Sequence, residues 1–351
     1  MTRRVGQAYA ADMAHCREAI RHGSLSFHAA SRLLPGRVRD PALALYAFCR
    51  LADDAVDLSS DPGGAVLRLG ARLDAVYAGR PRNAPADRAF AAVVEAHEMP
   101  RALPDALIEG LAWDALGREY RTLDELHDYA ARVAGAVGAM MCVLMDVRDR
   151  HALARACDLG AAMQLTNIAR DVGEDAGLGR VYLPLDWMED AGVGRAAFLA
   201  APEPTEAVRE MVRRLLAEAR RLYLRSEAGI AALPFAARPG IWAARHIYAG
   251  IGGAISRAGH DSVTRRARTG RGEKLARLVL SAARTGTGAL MPRDATLYAA
   301  PLPAAAFLVE AAAHAPAASR WGEGRAGALV GLFAQLEARD RGLAHMGVPG
   351  E

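Results

Sequence analysis

In the stretch from Gln164 to Pro184, QLTNIARDVGEDAGLGRVYLP, polar residues recur at helical spacing. On a helix, Asn167, Asp171 and Asp175 fall at i, i+4 and i+8 with Gln164 one turn earlier, so the four share a face, and Arg170 stands beside them. Stacked like charges weaken a helix, so a plain solvated surface gains nothing from them. A hard divalent cation supplies a reason, because Mg²⁺ takes oxygen ligands and commonly shares them with substrate phosphates. Gly177 and Gly179 then predict the helix end, and Tyr182-Leu183-Pro184 opens a new segment.

A second run carries the same pattern. Asp40-Pro41 predicts the start of a long helix, PALALYAFCRLADDAVD, with Pro41 at its first position. Asp53 and Asp57 stand at i, i+4 there, with Arg50 and Tyr46 earlier on the same face. Asp54 points roughly 100° away and is the weaker candidate for that ligand set. One such pair recurs by chance on solvated helices. Two pairs, each inside an apolar helix and each preceded by an arginine, point to a metal-diphosphate site.

The rest of the chain supports a helical frame. Of its 351 residues 52% are apolar, yet only seven are Phe and four Trp, so Ala and Leu dominate and helices are favoured over sheets. Helices are expected over 8–22, 41–57, 63–77, 87–97, 104–120, 152–175, 206–233, 239–258 and 274–285. Thr122-Leu123-Asp124-Glu125 fits a capping box that starts another, continuing through Met145. That last helix is rich in small residues (Ala134, Gly135, Ala136, Gly138, Ala139), which lets a neighbour approach closely. No strand-like alternation or repeat occurs, and one all-α domain over residues 1–351 fits best.

Composition also excludes several classes. A net charge of +4 is too small to argue for nucleic acid. Cys16, Cys49, Cys142 and Cys157 form no CxxC pair, so zinc and redox readings fail on spacing. No apolar segment follows the basic Met1-Thr2-Arg3-Arg4, so no signal peptide is expected, and no run reaches the ~20 apolar residues of a bilayer span. A cytoplasmic protein is expected. No GxGxxG joins a strand to a helix, and no nicotinamide cofactor is expected.

Four stretches carry a resemblance: SFHAASRLLP (Ser26 to Pro35), ALYAFCRLADDAVD (Ala44 to Asp57), YAARVAGAVGAMM (Tyr129 to Met141) and the Gln164–Pro184 run. Together they resemble the squalene/phytoene synthase family, over roughly residues 12 to 290, and within it the bacterial enzymes of purple-bacterial type. The resemblance implies an isoprenoid synthase fold, with helices around a central cavity. It also implies head-to-head condensation of two geranylgeranyl diphosphates, through prephytoene diphosphate, to phytoene. A relative using C15 diphosphates to make presqualene diphosphate or dehydrosqualene is the nearest alternative; a non-catalytic helical assembly factor is the other.

By the same resemblance, Asp53 and Asp57 match one metal-binding motif and Asp171 and Asp175 the other, with Asn167 and Gln164 near the diphosphates and Mg²⁺, or Mn²⁺, as the ion. Arg50, Arg170 and Arg266 match diphosphate contacts; Arg266 lies in the basic run Arg265-Arg266-Ala267-Arg268, which Arg271 and Lys274 extend. Tyr46, Tyr129 and Tyr248 match aromatic residues near the reacting carbons, where phenol faces stabilise cations. Phe27 matches a pocket-lining aromatic, and Val133, Gly135, Val137 and Gly138 a small apolar wall along the prenyl chains. His28 departs from the tyrosine often found there. A tyrosine, water or released pyrophosphate are all open as the final base. Greasy substrate and product imply peripheral contact with the cytoplasmic membrane, and other carotenoid-pathway enzymes are candidate partners. Residues after about Pro292 receive no role.

Overall fold

In the computed structural model, the described residues are 2–57, 59, 61–268, 270–288 and 294–314. Among them all regular structure is helical, and no helix is long and apolar enough to cross a membrane. They fall into two compact units. One comprises the described parts of Met1–Leu25 and Asp40–Arg118; the other comprises Ser26–Arg39 with Glu119–Ala313.

In the first unit, helix Thr2–Gly23 packs on Pro85–Ala96, and Pro62–Tyr77 packs on both Pro85–Ala96 and Ala102–Ala115. Phe48 stacks on Phe90 with ring centroids 4.3 Å apart. Two bidentate arginine pairs lock this packing: Arg88 holds the buried Asp12, and Arg72 holds Asp87, which is wholly buried. The helix predicted from Pro41 instead spans Gly36–Asp57 and takes Pro41 inside it. Its first turn starts a turn earlier because Pro35 O accepts from the N–H groups of Val38 and Arg39, and Val38 is buried.

The second unit is built on helix Arg150–Gly177, hereafter the aspartate helix. Asp149 caps its start by accepting from Ala152 N at 2.9 Å. Its end is a Schellman motif: Gly179 N donates to Ala176 O, Arg180 N donates to Asp175 O, and Gly179 has φ +74°. The expected stop at Gly177 and Gly179 is therefore the observed one. Helices Glu206–Ile230, Arg238–Arg257 and Ala306–Ala313 pack around it.

The small-residue helix also packs there, and it is not uniform. It runs as α-helix over Leu123–Ala130, as a π-turn over Ala131–Gly135, and as α-helix again over Ala136–Leu144. Thr122 Oγ1 accepts from Glu125 N as the capping box requires, while Glu125 reaches back to Arg121 N, one residue earlier than the standard box. The approach to the aspartate helix is as close as the small residues predict. A Cβ on Gly138 would lie 2.3 Å from Ala156 O, and one on Gly160 would lie 2.2 Å from Ala134 O, at the π-turn. Only backbone stands there, so nothing flexible can yield. Gly160→Ala is expected to cost about 1–3 kcal/mol by overpacking, read as a lowered melting temperature. Gly177→Ala, with nothing within 4 Å of its Cβ, is the control and should be neutral or mildly stabilising.

Helix Arg271–Gly288 is clamped to Arg238–Arg257 by a buried polar chain. The Ser281 hydroxyl donates to Arg277 O at 2.6 Å, so its oxygen accepts from His246 Nδ1–H at 2.9 Å. Burial, reinforced by the charges of Arg245, Arg277 and Arg284, pushes the His246 pKa down to about 4. An imidazole depressed from its usual ~6.5 charges more readily when unfolded. Its contribution to stability is therefore full above about pH 6.5 and lost as pH falls towards 4. Thermal melts between pH 7.5 and 4.5 should show this loss, and His246→Asn should flatten it.

The segment after residue 293 belongs to the second unit. Arg155 Nη2 and Arg225 Nη2 both donate to Ala300 O, at 3.2 and 2.9 Å, and Arg155 Nη1 donates to Thr296 O at 2.5 Å. The buried Asp158 carboxylate engages both guanidiniums: Oδ2 accepts from Arg225 Nε at 3.1 Å and forms an ion pair with Arg155 Nε, 2.8 Å away. Further along, Arg150 pairs with Glu310, and a Cβ on Gly135 would meet Leu308 Cδ1 at 3.5 Å. Residues 294–313 thus brace the aspartate helix and the π-turn.

Candidate active site

The polar residues of the aspartate helix lie on its partly exposed side. Gln164, Asn167, Arg170, Asp171 and Asp175 are all half-buried, whereas Leu165, Ile168 and Ala169 between them are buried. Towards the N-terminus this side passes beneath the π-turn helix at Gly160. The run therefore goes from apolar Met163, through the amides Gln164 and Asn167, to the carboxylates Asp171, Glu174 and Asp175. On the crossing helix Val133 and Val137 are half-buried too, one turn apart.

Of the four residues expected as an apolar wall, Val133, Val137 and Gly138 are half-buried and Gly135 is buried. A Cβ on Gly138 would meet the Ala156 carbonyl, and one on Gly135 would meet Leu308 and Cys157 O, so both glycines also allow close helix contact.

Asp171 is held by two arginines. Arg170 meets it through Nε (2.7 Å) and Nη2 (2.5 Å), and Arg266 meets it through Nε (2.7 Å) and Nη2 (3.2 Å). Arg266 also pairs with Glu174 at 3.0 Å. Burial opposes the charge on Arg170, but hydrogen bonding to Asp171 and the fields of Asp171, Tyr248 and Glu174 overcome it and raise its pKa. Two guanidiniums thus share this one carboxylate. Asp175 lines a small pocket with Arg180, Tyr182 and Phe198.

Aromatic residues come together in two groups. Tyr248 is buried against Phe27, with ring centroids 5.1 Å apart. Tyr129, Tyr120 and Tyr182 form a three-ring cluster, with centroids 5.1 Å (Tyr129–Tyr120), 5.3 Å (Tyr129–Tyr182) and 6.1 Å (Tyr120–Tyr182) apart. The 182–186 turn is held beside them because Leu185 N and Asp186 N donate to Tyr120 O and Arg121 O.

The first motif is seen in part. The backbone of Asp53 and Asp57 is helical, and their side chains lie outside the described residues, as do those of Arg271 and Lys274. Arg50 makes a bidentate pair with Asp54, at 2.6 and 3.1 Å. Asp54, set aside by periodicity, therefore takes the arginine at i, i+4. Tyr46 is half-buried, and its hydroxyl fills the space over Gly23, where a Cβ would come within 2.3 Å.

Several residues escaped the reading of the sequence. Glu174 sits inside the quoted run but off its i, i+4 line, and Tyr182 was treated only as the start of a new segment. Asp261 and Gly173 were also passed over; the loop that Asp261 gathers meets Gly173 through a contact between segments distant in sequence. Cys142 and Cys157 are buried, and burial pushes the Cys142 thiol up to about 12 and Cys157 well above its usual value, so both are inert core residues.

The all-helical scaffold, with its line of amides and carboxylates beside arginines and tyrosines, has the isoprenoid synthase fold. A crystal structure of a dehydrosqualene synthase in complex with ligand matches at a TM-score of 0.74 and 29% identity, over 80% of this chain and 99% of that one. The chain belongs to the squalene/phytoene synthase family, whose model matches residues 20–273. It is 63% identical to the phytoene synthase of Cereibacter sphaeroides, over 94% of this chain and 95% of the relative. It is 58% identical to that of Rhodobacter capsulatus, over 95% and 98%.

Proposed function

We propose that this chain is a phytoene synthase, joining two geranylgeranyl diphosphates head to head in carotenoid biosynthesis. The observation that carries the reading is the graded side of the aspartate helix. Apolar Val133, Val137 and Met163 suit a prenyl tail, Gln164 and Asn167 suit diphosphate oxygens, and Asp171 and Asp175 suit a divalent ion. Identity above 55% to two phytoene synthases, over nearly the full length, supports the C20 substrate.

The donor set fits Mg²⁺. Asp171 and Asp175 with Asn167 are hard oxygen ligands on one helix side, and the Asp171 carboxylate already holds cationic partners at hydrogen-bond distance. Asp53 and Asp57 supply the second pair in this reading, with residues 1–351 acting as one catalytic domain. When bound, Mg²⁺ would neutralise the diphosphate and assist its departure as pyrophosphate. Arg170 and Arg266, and Arg50 from the first motif, bind and orient the diphosphate oxygens. Tyr248 and Tyr129 present phenol rings to the allylic cation, stabilising it without attacking it. Val133 and Val137 hold the chain and exclude water.

C1 of the ionised substrate attacks the C2–C3 double bond of the second, and loss of a proton gives prephytoene diphosphate. A second ionisation, rearrangement and proton loss yield phytoene. We also propose peripheral contact with the cytoplasmic membrane, since substrate and product are both apolar over most of their length.

Purified protein with geranylgeranyl diphosphate and Mg²⁺ should release two pyrophosphates for each C40 hydrocarbon formed. Chelation should stop both, and Mg²⁺ or Mn²⁺ should restore them. Full turnover in chelator would refute the metal assignment, and accumulation of the cyclopropyl diphosphate alone would refute the complete reaction.

A further inference from the structure

Arg266 lies in a loop and is 43% exposed, yet it meets Asp171 with two hydrogen bonds. Something must hold its backbone. The loop leaves helix Arg238–Arg257 through two positive-φ residues, Gly259 (+67°) and His260 (+59°). It is then gathered by Asp261, which is 5% exposed. Asp261 Oδ1 accepts from Val263 N at 3.1 Å and Thr264 N at 3.0 Å, and Oδ2 accepts from the Thr264 hydroxyl at 2.6 Å. Arg209 ties the other side, donating to Gly259 O at 2.8 Å and approaching Asp261 Oδ2 at 3.6 Å.

The gathered loop is seated between the two aspartates. Gly173 N donates to Ser262 O at 2.9 Å, and a Cβ on Gly173 would lie 2.3 Å from Val263 O. Glycine at 173 therefore lets the loop touch the helix backbone two residues from Asp171 and two from Asp175. From that seat Arg266 is three residues further along.

We propose that Asp261 is a positioning residue. It folds residues 259–266 into a bracket on Gly173 that delivers Arg266 to the Asp171 carboxylate. There Arg266 acts as an internal counter-ion: it competes with a cation for Asp171 when no diphosphate is present, and it assists diphosphate binding when one is. The inference rests on the reading of Asp171 and Arg266 as cation and diphosphate ligands.

The two halves predict shifts of opposite sign, which a loss of folding would not produce. The probes are Mn²⁺ alone, titrated by electron paramagnetic resonance, and inorganic pyrophosphate in saturating Mn²⁺, titrated by calorimetry. Asp261→Ala should bind Mn²⁺ several-fold more tightly and pyrophosphate about tenfold more weakly, in the range seen when groups supporting a ligand are removed. Arg266→Ala should reproduce both shifts, and the double variant should add nothing further, because both act through one contact. Asp261→Asn, which keeps Oδ1 for the two backbone donors, should recover most of the pyrophosphate affinity. Thr264→Val removes one hydroxyl contact and gives smaller shifts of the same signs if Asp261→Ala does not fold. Unchanged or jointly weakened affinities, or additive effects, would overturn the proposal. If the wild-type protein itself binds neither probe, the site reading fails first, and the two failures are thereby distinguished.

Discussion

Replacing Asp171 with alanine is expected to lower kcat/KM for geranylgeranyl diphosphate by about 10³-fold or more, roughly 4 kcal/mol of transition-state stabilisation. The effect is large because one carboxylate serves two ends. In the proposed reading it is a hard ligand for the ion, and it orients Arg170 and Arg266 through four hydrogen bonds. Without it the guanidiniums lose their common anchor, and the diphosphate meets neither a fixed ion nor fixed arginines. Stability should change far less, because Arg266 is well exposed and rehydrates at little cost. Asp171→Asn keeps the shape and halves the hydrogen-bonding capacity for guanidinium, so it should also be severely impaired. Steady-state rates with the product separated by chromatography decide the matter, and undiminished phytoene formation by Asp171→Ala would contradict the role.

The largest loss of stability is expected elsewhere, at Asp158. Its side chain and that of Arg155 are fully buried, and burial pushes the carboxyl pKa upward against the pull of Arg155 and Arg225. Removing the carboxylate leaves a buried cation without its counter-charge, which typically costs about 3–5 kcal/mol. Asp158→Ala should lower the melting temperature by roughly 6–10 °C, taking the larger-domain end of the usual conversion. Arg155 and Arg225 also hold the Thr296 and Ala300 carbonyls, so residues 294–300 should become sensitive to proteases in the same variant. A double replacement, Asp158→Leu with Arg155→Met, should recover part of the loss, since apolar residues can substitute for a buried pair. A melting temperature unchanged by Asp158→Ala would show that the network does not brace the unit.

How much of this was legible beforehand follows from the range of each interaction. The aspartate helix, its face and its Gly179 stop are local, set by spacing within a few turns, and they were readable residue by residue. So was the capping threonine at 122. The π-turn at Ala131–Gly135 was not, because it answers to Gly160 and Leu308 on other elements. Pro41 was misplaced since a favoured first position does not forbid a helix that starts earlier on Pro35 and Val38. Arg50 was read on the face of Asp53 and Asp57, and spacing alone does not say that Asp54, at i+4, pairs with it. Asp261, Gly173 and Asp158 each matter through a segment 80 or more residues away or through burial, and no local pattern announces that. The family resemblance supplied the prenyl diphosphate; periodicity supplied only a line of oxygen ligands.

That line, with its arginines, is the half of the site on which the account depends, and substrate choice tests it most directly. Purified protein should be offered equal farnesyl and geranylgeranyl diphosphate with Mg²⁺, and the hydrocarbons separated by chromatography. The account predicts a C40 product, phytoene, as the dominant species. A C30 product formed alone, with the C20 diphosphate left unused, would contradict it.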